Sequence, residues 1–164
     1  MKMKNIRFNS PIGTILVSCN DQETLLTNIT VLKTPQEPLH SEVPILNLAQ
    51  EQILEYFAKT RTALDLPLDQ IGTDFQKQVW KAVQSIPYGQ TRSYGEVAAM
   101  AGRPGAARGV GTAMRENRFL LAVPCHRVIG ANGKLGNYSG GQGVRTKIAL
   151  LNLEKEETDQ KTLG

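Results

Sequence analysis

The feature that most restricts the fold of this chain is a run of punctuation between Thr73 and Glu116, where short helices are started and stopped by their own side chains. In TDFQKQVWKAVQSI, Thr73 is followed three residues later by Gln76, the pattern of a capping box. Phe75, Val79 and Val83 recur there at four-residue spacing, and Pro87 and Gly89 close the helix. Ser93 and Glu96 repeat the box at the head of SYGEVAAMA, with Gly102 as the stop. A third helix, in RPGAARGVGTAMRE, is expected to begin with Pro104 near its first turn. Two short helices joined by a glycine-containing turn form either a helix-turn-helix or a pair that packs only to make a core. In a helix-turn-helix the second helix faces DNA and would present Arg108 and Arg115.

Ahead of this region the pattern is different. IRFNSPIGTILVSCN and TLLTNITVLK alternate apolar and polar residues, with Pro11 and Gly13 marking a turn, and read as strands. After the loop KTPQEPLHSEVP, the stretch ILNLAQEQILEYFAK puts Ile45, Leu46, Ala49, Ile53, Leu54 and Phe57 on one side of a helix expected to pack on those strands. An extended piece, TALDLPLDQIG, runs out at Gly72. The chain is therefore α/β, with a boundary near residue 70 that separates an N-terminal α/β domain, 1–70, from a C-terminal domain, 71–164.

Charge divides at the same place. From Ile71 to Asn152 there are 11 Lys and Arg against 3 Asp and Glu, a net of +8, whereas residues 1–70 carry 6 against 8. Such concentrated positive charge suits a polyanion such as nucleic acid, because neutralising phosphates releases counterions; a solvated basic face is the plain alternative. No run approaches the roughly 20 apolar residues of a membrane span, and no apolar stretch of signal-peptide length follows the first lysines. A cytoplasmic chain is expected, with Cys19 and Cys125 both reduced.

The last part, FLLAVPCHRVIGANGKLGNYSGGQGVRTKIALLNLE, has a hairpin signal at Asn132-Gly133 and a flexible loop at NYSGGQG. Val144, Ile148 and Leu151 mark the apolar face expected of a terminal helix. Cys125 follows an apolar run, as a packed thiol would, but His126 and Arg127 follow it, and a base or cation beside a thiol favours the attacking thiolate. Cys19 lies in an alternating strand and reads as packing. Two Cys and two His at these separations give no zinc spacing, so no metal is expected, and there is no Walker A lysine motif.

PCHRV, preceded by AARGVGTAMREN and followed by GNYSGG, closely resembles the O6-alkylguanine-DNA alkyltransferases, the methylated-DNA-protein-cysteine methyltransferase family. The resemblance covers about residues 73–154 closely and 1–70 loosely. It implies a small ribonuclease-H-like N-terminal domain and a C-terminal winged-helix-type helix-turn-helix domain that binds DNA and accepts the alkyl group. The implied activity is a single-turnover suicide repair reaction, which moves an alkyl group from O6-alkylguanine in DNA to the protein's own Cys125; O4-methylthymine is a second candidate substrate. His126 is implied as the base through a water molecule, with Glu154 holding it, Tyr94 as proton donor to the leaving guanine, and Asn117 as brace between recognition helix and active-site strand. For DNA, Arg108 is implied as the side chain that fills the gap left by the flipped nucleotide, Ser139 as a donor to O6, and Tyr138 and Gly140 as the loop over the pocket; Arg115 lies on the same helix as Arg108. The partner implied is double-stranded DNA entered through the minor groove with base flipping, by a monomer, with no cofactor and no membrane.

Each residue has a plainer reading: Tyr94 half-buried after a helix cap, Asn117 a C-cap, Glu154 a solvated charge, Arg108 a phosphate contact. The chain departs from the resemblance at Leu153, where relatives often have histidine, and at Arg118, where many have proline. Rival functions are a nonreactive alkylated-DNA recognition protein, a helix-turn-helix regulator, and a cysteine hydrolase that would turn over.

Overall fold

The computed structural model describes residues 4–136, 138 and 140–163, with side chains described as far as Lys155. The chain forms two compact units, Met1–Gln70 with Arg118–Ala122, and Ile71–Asn117 with Val123–Gly164.

The first unit is a three-stranded antiparallel sheet in the order β1 (Asn5–Ser10), β2 (Gly13–Cys19), β3 (Leu26–Val31). Alternation puts Ile6, Phe8, Ile15, Val17, Ile29 and Val31 in the core, where helix α1 (Pro44–Phe57) covers them. The short piece 118–120 extends the sheet as a parallel bridge: the Ile29 N–H donates to the Arg118 carbonyl at 2.8 Å and the Leu120 N–H to the Ile29 carbonyl at 3.0 Å. Nothing in its sequence alternates, so its pairing was not readable beforehand.

The buried face of α1 is rotated from the one expected. Ile45, Leu46, Ala49 and Ile53 are buried as anticipated, but Leu54 is 40% exposed, and Gln52 and Tyr56 complete the face instead. Leu54 lies one 100° step past Ile53, outside the stripe that 45, 49, 52 and 56 define. Gln52 tolerates burial because its amide exchanges two hydrogen bonds with the backbone of Asp65, at 2.8 and 3.1 Å.

The second unit starts with α2 (Asp74–Gln84), β4 (Arg92–Ser93), α3 (Tyr94–Met100) and α4 (Ala107–Arg115). Both capping boxes form, Thr73 with Gln76 and Ser93 with Glu96. Gly102, at φ 86°, ends α3 as a Schellman turn: its N–H donates to the Ala99 carbonyl and that of Arg103 to the Ala98 carbonyl. Pro104 stands in the turn before α4 rather than in its first turn. Helix α2 packs on α3 and α4, and the Trp80 indole donates to the Ala113 carbonyl at 2.8 Å. A 3₁₀ turn (Cys125–Arg127) leads into β5 (Val128–Ile129), which pairs in parallel with β4. Asn132-Gly133 does turn, with the Gly130 N–H donating to the Lys134 carbonyl, but β5 ends before it and the described residues around that turn form no two-stranded hairpin.

Helix α5 (Val144–Leu163) corrects the sequence reading most sharply. Val144 and Ile148 are exposed, and the face turned inward carries Thr146, Lys147, Leu150 and Glu154. No helix among the described residues is long and apolar enough to cross a membrane.

The rotation of α1 is measurable by urea unfolding. Ile53→Ala should cost about 2–4 kcal/mol through the cavity it leaves, while Leu54→Ser should stay within about 0.5 kcal/mol of the parent.

Candidate active site

Two tight turns deliver Cys125. The Ala122 N–H donates to the Leu120 carbonyl at 2.7 Å around Leu121, whose φ of 67° is one that large side chains rarely adopt. The Cys125 N–H then donates to the Val123 carbonyl at 2.7 Å around Pro124, at φ −77° and ψ 67°, an inverse γ-turn. Proline holds that φ by its ring, so the residue before the cysteine fixes the direction in which the chain presents it.

Cys125 is part-buried and lines a cavity of about 700 Å³ together with Tyr94, Arg108, Arg115, Gly136 and Tyr138. Burial raises the thiol above its ordinary pKa; a hydrogen bond with the Asn117 side chain and the charge of Lys147 oppose this without overcoming it. At rest the sulfur is therefore a neutral thiol that needs a base. The Asn117 amide also donates to the Val123 carbonyl at 3.1 Å, which ties the residue after the end of α4 to the turn before the cysteine.

The two residues after the cysteine belong to a fully buried polar cluster. His126 is 0% exposed and Glu154 1%, with Nε2 2.6 Å from Oε2. Arg127 grips the same carboxylate from the other side, Nε to Oε1 at 2.9 Å and Nη2 to Oε2 at 3.0 Å, while its Nη1 donates to the Ile86 carbonyl at 2.8 Å. The Gly89 N–H adds a bond to Oε1 at 3.1 Å. Burial works against ionising Glu154, but the bonds from His126 and Arg127 hold its carboxyl well below the usual carboxylate range. The same burial pushes His126 down: the Glu154 bond raises its pKa, Arg127 and Lys147 lower it, and the net direction is down. A neutral imidazole that donates from Nε2 to a carboxylate carries its lone pair on Nδ1, and Nδ1 is buried without a hydrogen-bond partner among the described protein groups.

Tyr94 owes its place to the β4–β5 pairing. Ser93 pairs with Ile129, so the residue that opens α3 stands near the segment that follows Cys125. Its hydroxyl abuts Gly136, which has φ 69°; a Cβ there would lie 2.5 Å from the Tyr94 oxygen, so only glycine fits. Burial raises the Tyr94 pKa, a charge on Cys125 adds to this once the thiol ionises, and Arg115 opposes it.

Of the residues singled out in the sequence, Tyr94, Arg108, Arg115, Cys125 and Tyr138 share the cavity, Asn117 bonds the cysteine, and His126 and Glu154 bond each other. Gly140 accepts from the Gly143 N–H in the turn that precedes α5. Ser139 lies outside the described residues. Arg108 and Arg115 project from α4 in exposed positions, and Arg115 bonds the Thr112 hydroxyl at 3.1 Å. The reading of Glu154 as a solvated charge fails on its burial. The expectation that Arg127 is the cation beside the thiol also fails, because its guanidinium is occupied by Glu154 and Ile86.

The cation acting on the thiol is Lys147, which sequence reasoning missed. It is 1% exposed on the inward face of α5, and its ammonium donates to the Val128 carbonyl at 2.7 Å and to the Leu135 carbonyl. A lysine in the middle of an amphipathic helix reads as solvated; its spacing of seven from Glu154 was the only available signal. Two of the eleven basic residues of this segment, Arg127 and Lys147, are thus internal and unavailable to a polyanion.

Comparison with known proteins points the same way. The model of the 6-O-methylguanine DNA methyltransferase DNA-binding domain matches residues 74–156, and that of the ribonuclease-like domain of the same proteins matches 3–70. The methylated-DNA–protein-cysteine methyltransferase of Mycobacterium bovis is 47% identical over 151 residues, 90% of this chain and 89% of that protein. The constitutive one of Bacillus subtilis is 39% identical over 160 residues, 93% and 95% of the two chains. Among solved structures, Mycobacterium tuberculosis OGT in complex with DNA superposes with a TM-score of 0.79 at 46% identity, covering 92% of each chain.

The buried cluster makes stability depend on pH in a stated direction. His126 is held below its unfolded pKa of about 6.5, so the unfolded chain binds the extra proton and stability falls as pH drops through that value. Glu154, depressed below its unfolded value of about 4.3, adds a further loss as pH falls past it. The free energy of urea unfolding should therefore decline from pH 7 toward pH 5, by at most about 1.4 kcal/mol per unit for one proton. Replacing His126 by Gln should flatten that slope; an unchanged slope would assign it to other groups.

Proposed function

The chain belongs to the 6-O-methylguanine DNA methyltransferase family, and from that premise we propose that it repairs DNA by moving an alkyl group from guanine O6 to its own Cys125. The observation that carries this reading is the cavity in which a part-buried thiol and a tyrosine hydroxyl meet, backed by an imidazole whose tautomer a carboxylate fixes.

The steps follow from the chemistry of these groups. Nδ1 of His126 takes the Cys125 proton, through a water molecule, and the sulfur attacks the alkyl carbon as the carbon–O6 bond breaks. The electron pair passes to the purine, which takes a proton from the Tyr94 hydroxyl; solvent later restores that proton. The products are a thioether on Cys125 and unmodified guanine. Asn117 assists by bonding the sulfur in its charged form.

A stacked guanine cannot present O6 to a thiol in a cavity, so the substrate nucleotide is extruded from double-stranded DNA. The helix-turn-helix approaches through the minor groove, Arg108 occupies the vacated stack, and Arg115, Tyr138, Ser139 and Gly140 contact the displaced nucleotide and its neighbours. A cytoplasmic monomer suffices for this, and O4-methylthymine presents the same kind of alkyl–oxygen bond. The DNA complex of the mycobacterial relative supports the choice of partner.

Intact-protein mass after exposure to O6-methylguanine duplex should show one added methyl per molecule, located on Cys125, and none in Cys125→Ser. Turnover beyond one equivalent would point to a hydrolase, and an unmodified protein that binds the duplex to a recognition protein or regulator. Extrusion costs on the order of a few kcal/mol, part of which an inserted side chain offsets. Arg108→Ala should therefore slow repair of duplex while leaving alkylation by free O6-benzylguanine nearly unchanged, provided the parent accepts that base. Equal losses on both substrates would remove the intercalating role.

A further inference from the structure

Arg127 takes no part in the reaction just described, yet its guanidinium is committed entirely to the buried cluster. Two of its nitrogens face the two oxygens of Glu154, at 2.9 and 3.0 Å, and the third donates to the Ile86 carbonyl at 2.8 Å. Oε2 of Glu154 is thereby shared between Arg127 and the Nε2 of His126.

Charge counting gives this arrangement a consequence. In a buried site the negative charge of Glu154 requires one positive partner, and Arg127 supplies it in bidentate form. The other charged groups acting on the imidazole are Glu154 and Lys147, both from α5. A proton on His126 would be an unmatched cation beside two others. With Arg127 absent, the cheapest way to balance Glu154 would be to protonate His126, and an imidazolium cannot accept the proton of a thiol.

We propose that Arg127 is the positioning residue for the base, satisfying the charge of Glu154 so that His126 stays neutral, with Nε2–H on the carboxylate and Nδ1 left to take the Cys125 proton. This rests on the assignment of Cys125 as nucleophile and His126 as its base. It gives the pair formed by Glu154 and His126 a different character from an imidazolium–carboxylate pair: the carboxylate orients the ring and fixes its tautomer, and the arginine keeps it from attracting a proton.

The test is the rate of single-turnover alkylation of Cys125 by O6-methylguanine duplex against pH, in the parent, Arg127→Met and Arg127→Lys. The parent should keep its rate below the ordinary histidine value of about 6.5. In Arg127→Met the acid limb should move up by a unit or more, a loss of about tenfold on the acid side that closes toward alkaline pH. Arg127→Lys, which keeps the charge, should stay near the parent. A loss in Arg127→Met that is equal at every pH would leave the arginine a structural role only and overturn the proposal. Should Arg127→Met not fold, the parent decides alone, since an acid limb at or above about 6.5 contradicts a histidine held neutral. Nitrogen-15 spectra of the imidazole in a His40→Gln background separate this from the reaction itself. If the parent never accepts an alkyl group, the proposed function fails, yet an Nε2–H tautomer that persists below about pH 6.5 only when residue 127 is cationic still supports the arginine's part. Protonation at the same pH in the parent and Arg127→Met overturns it.

Discussion

A single buried carboxylate organises the second unit. Glu154 comes from α5, His126 and Arg127 from the 3₁₀ turn, and the Gly89 N–H from the segment after α2, so one pair of oxygens joins three parts of the chain. Removing an ion from water costs several kcal/mol even after relaxation, and only good geometry with additional hydrogen bonds recovers it. Here at least four donors converge on two oxygens, which leaves little freedom for any of the three segments. Because Cys125 is the first residue of the turn that supplies three of those donors, its position follows from the satisfaction of the carboxylate.

Lys147, also from α5, makes comparable ties. Its bonds to the Val128 and Leu135 carbonyls join the strand after Cys125 to the loop that leads to Gly136, and Gly136 in turn abuts the Tyr94 hydroxyl. Cys125 and Tyr94 are therefore linked by a continuous set of contacts that runs through the Lys147 ammonium and Gly136. An ammonium that donates to carbonyls rather than to a carboxylate has no negative partner to offset its field, and that field, together with the Asn117 hydrogen bond, opposes the effect of burial on the Cys125 thiol.

These two helical residues also mark the limit of what could be read from the sequence. Local chemistry was legible wherever a side chain satisfies its own backbone, as at Thr73, Ser93 and Gly102, because a cap or a Schellman turn is decided within a few residues. The strands were legible because one-sided burial forces alternation. The inward faces of α1 and α5 were not. Apolar periodicity ranks residues by hydrophobicity, so it chose Val144, Ile148 and Leu151 and passed over Lys147 and Glu154, whose burial depends on partners far away in the chain. The same blindness led adjacency to stand in for contact at Arg127, next to the cysteine in sequence but turned toward Glu154. Candidate site residues were legible chiefly through the resemblance carried by PCHRV and GNYSGG; spacing alone left Cys125 open between packing and chemistry.

The nature of the bond formed explains why such a buried site can serve a reaction that happens once. A cysteine hydrolase makes a thioester, whose carbonyl water can attack, and needs donors aimed at the oxyanion and a route for water to the acyl carbon. Alkyl transfer makes a thioether. Its carbon bears no carbonyl, so there is no oxyanion to stabilise and no electrophile for water to reach. A site of this kind has no need to restore its base for a second half-reaction, and in the proposed mechanism the desolvation that raises the thiol pKa has to be countered only once, at the moment of transfer. The demand on the fold is then to hold a neutral imidazole and a neutral thiol together until a substrate arrives. A carboxylate already neutralised by an arginine meets that demand, because its charge is balanced without drawing a proton onto the base.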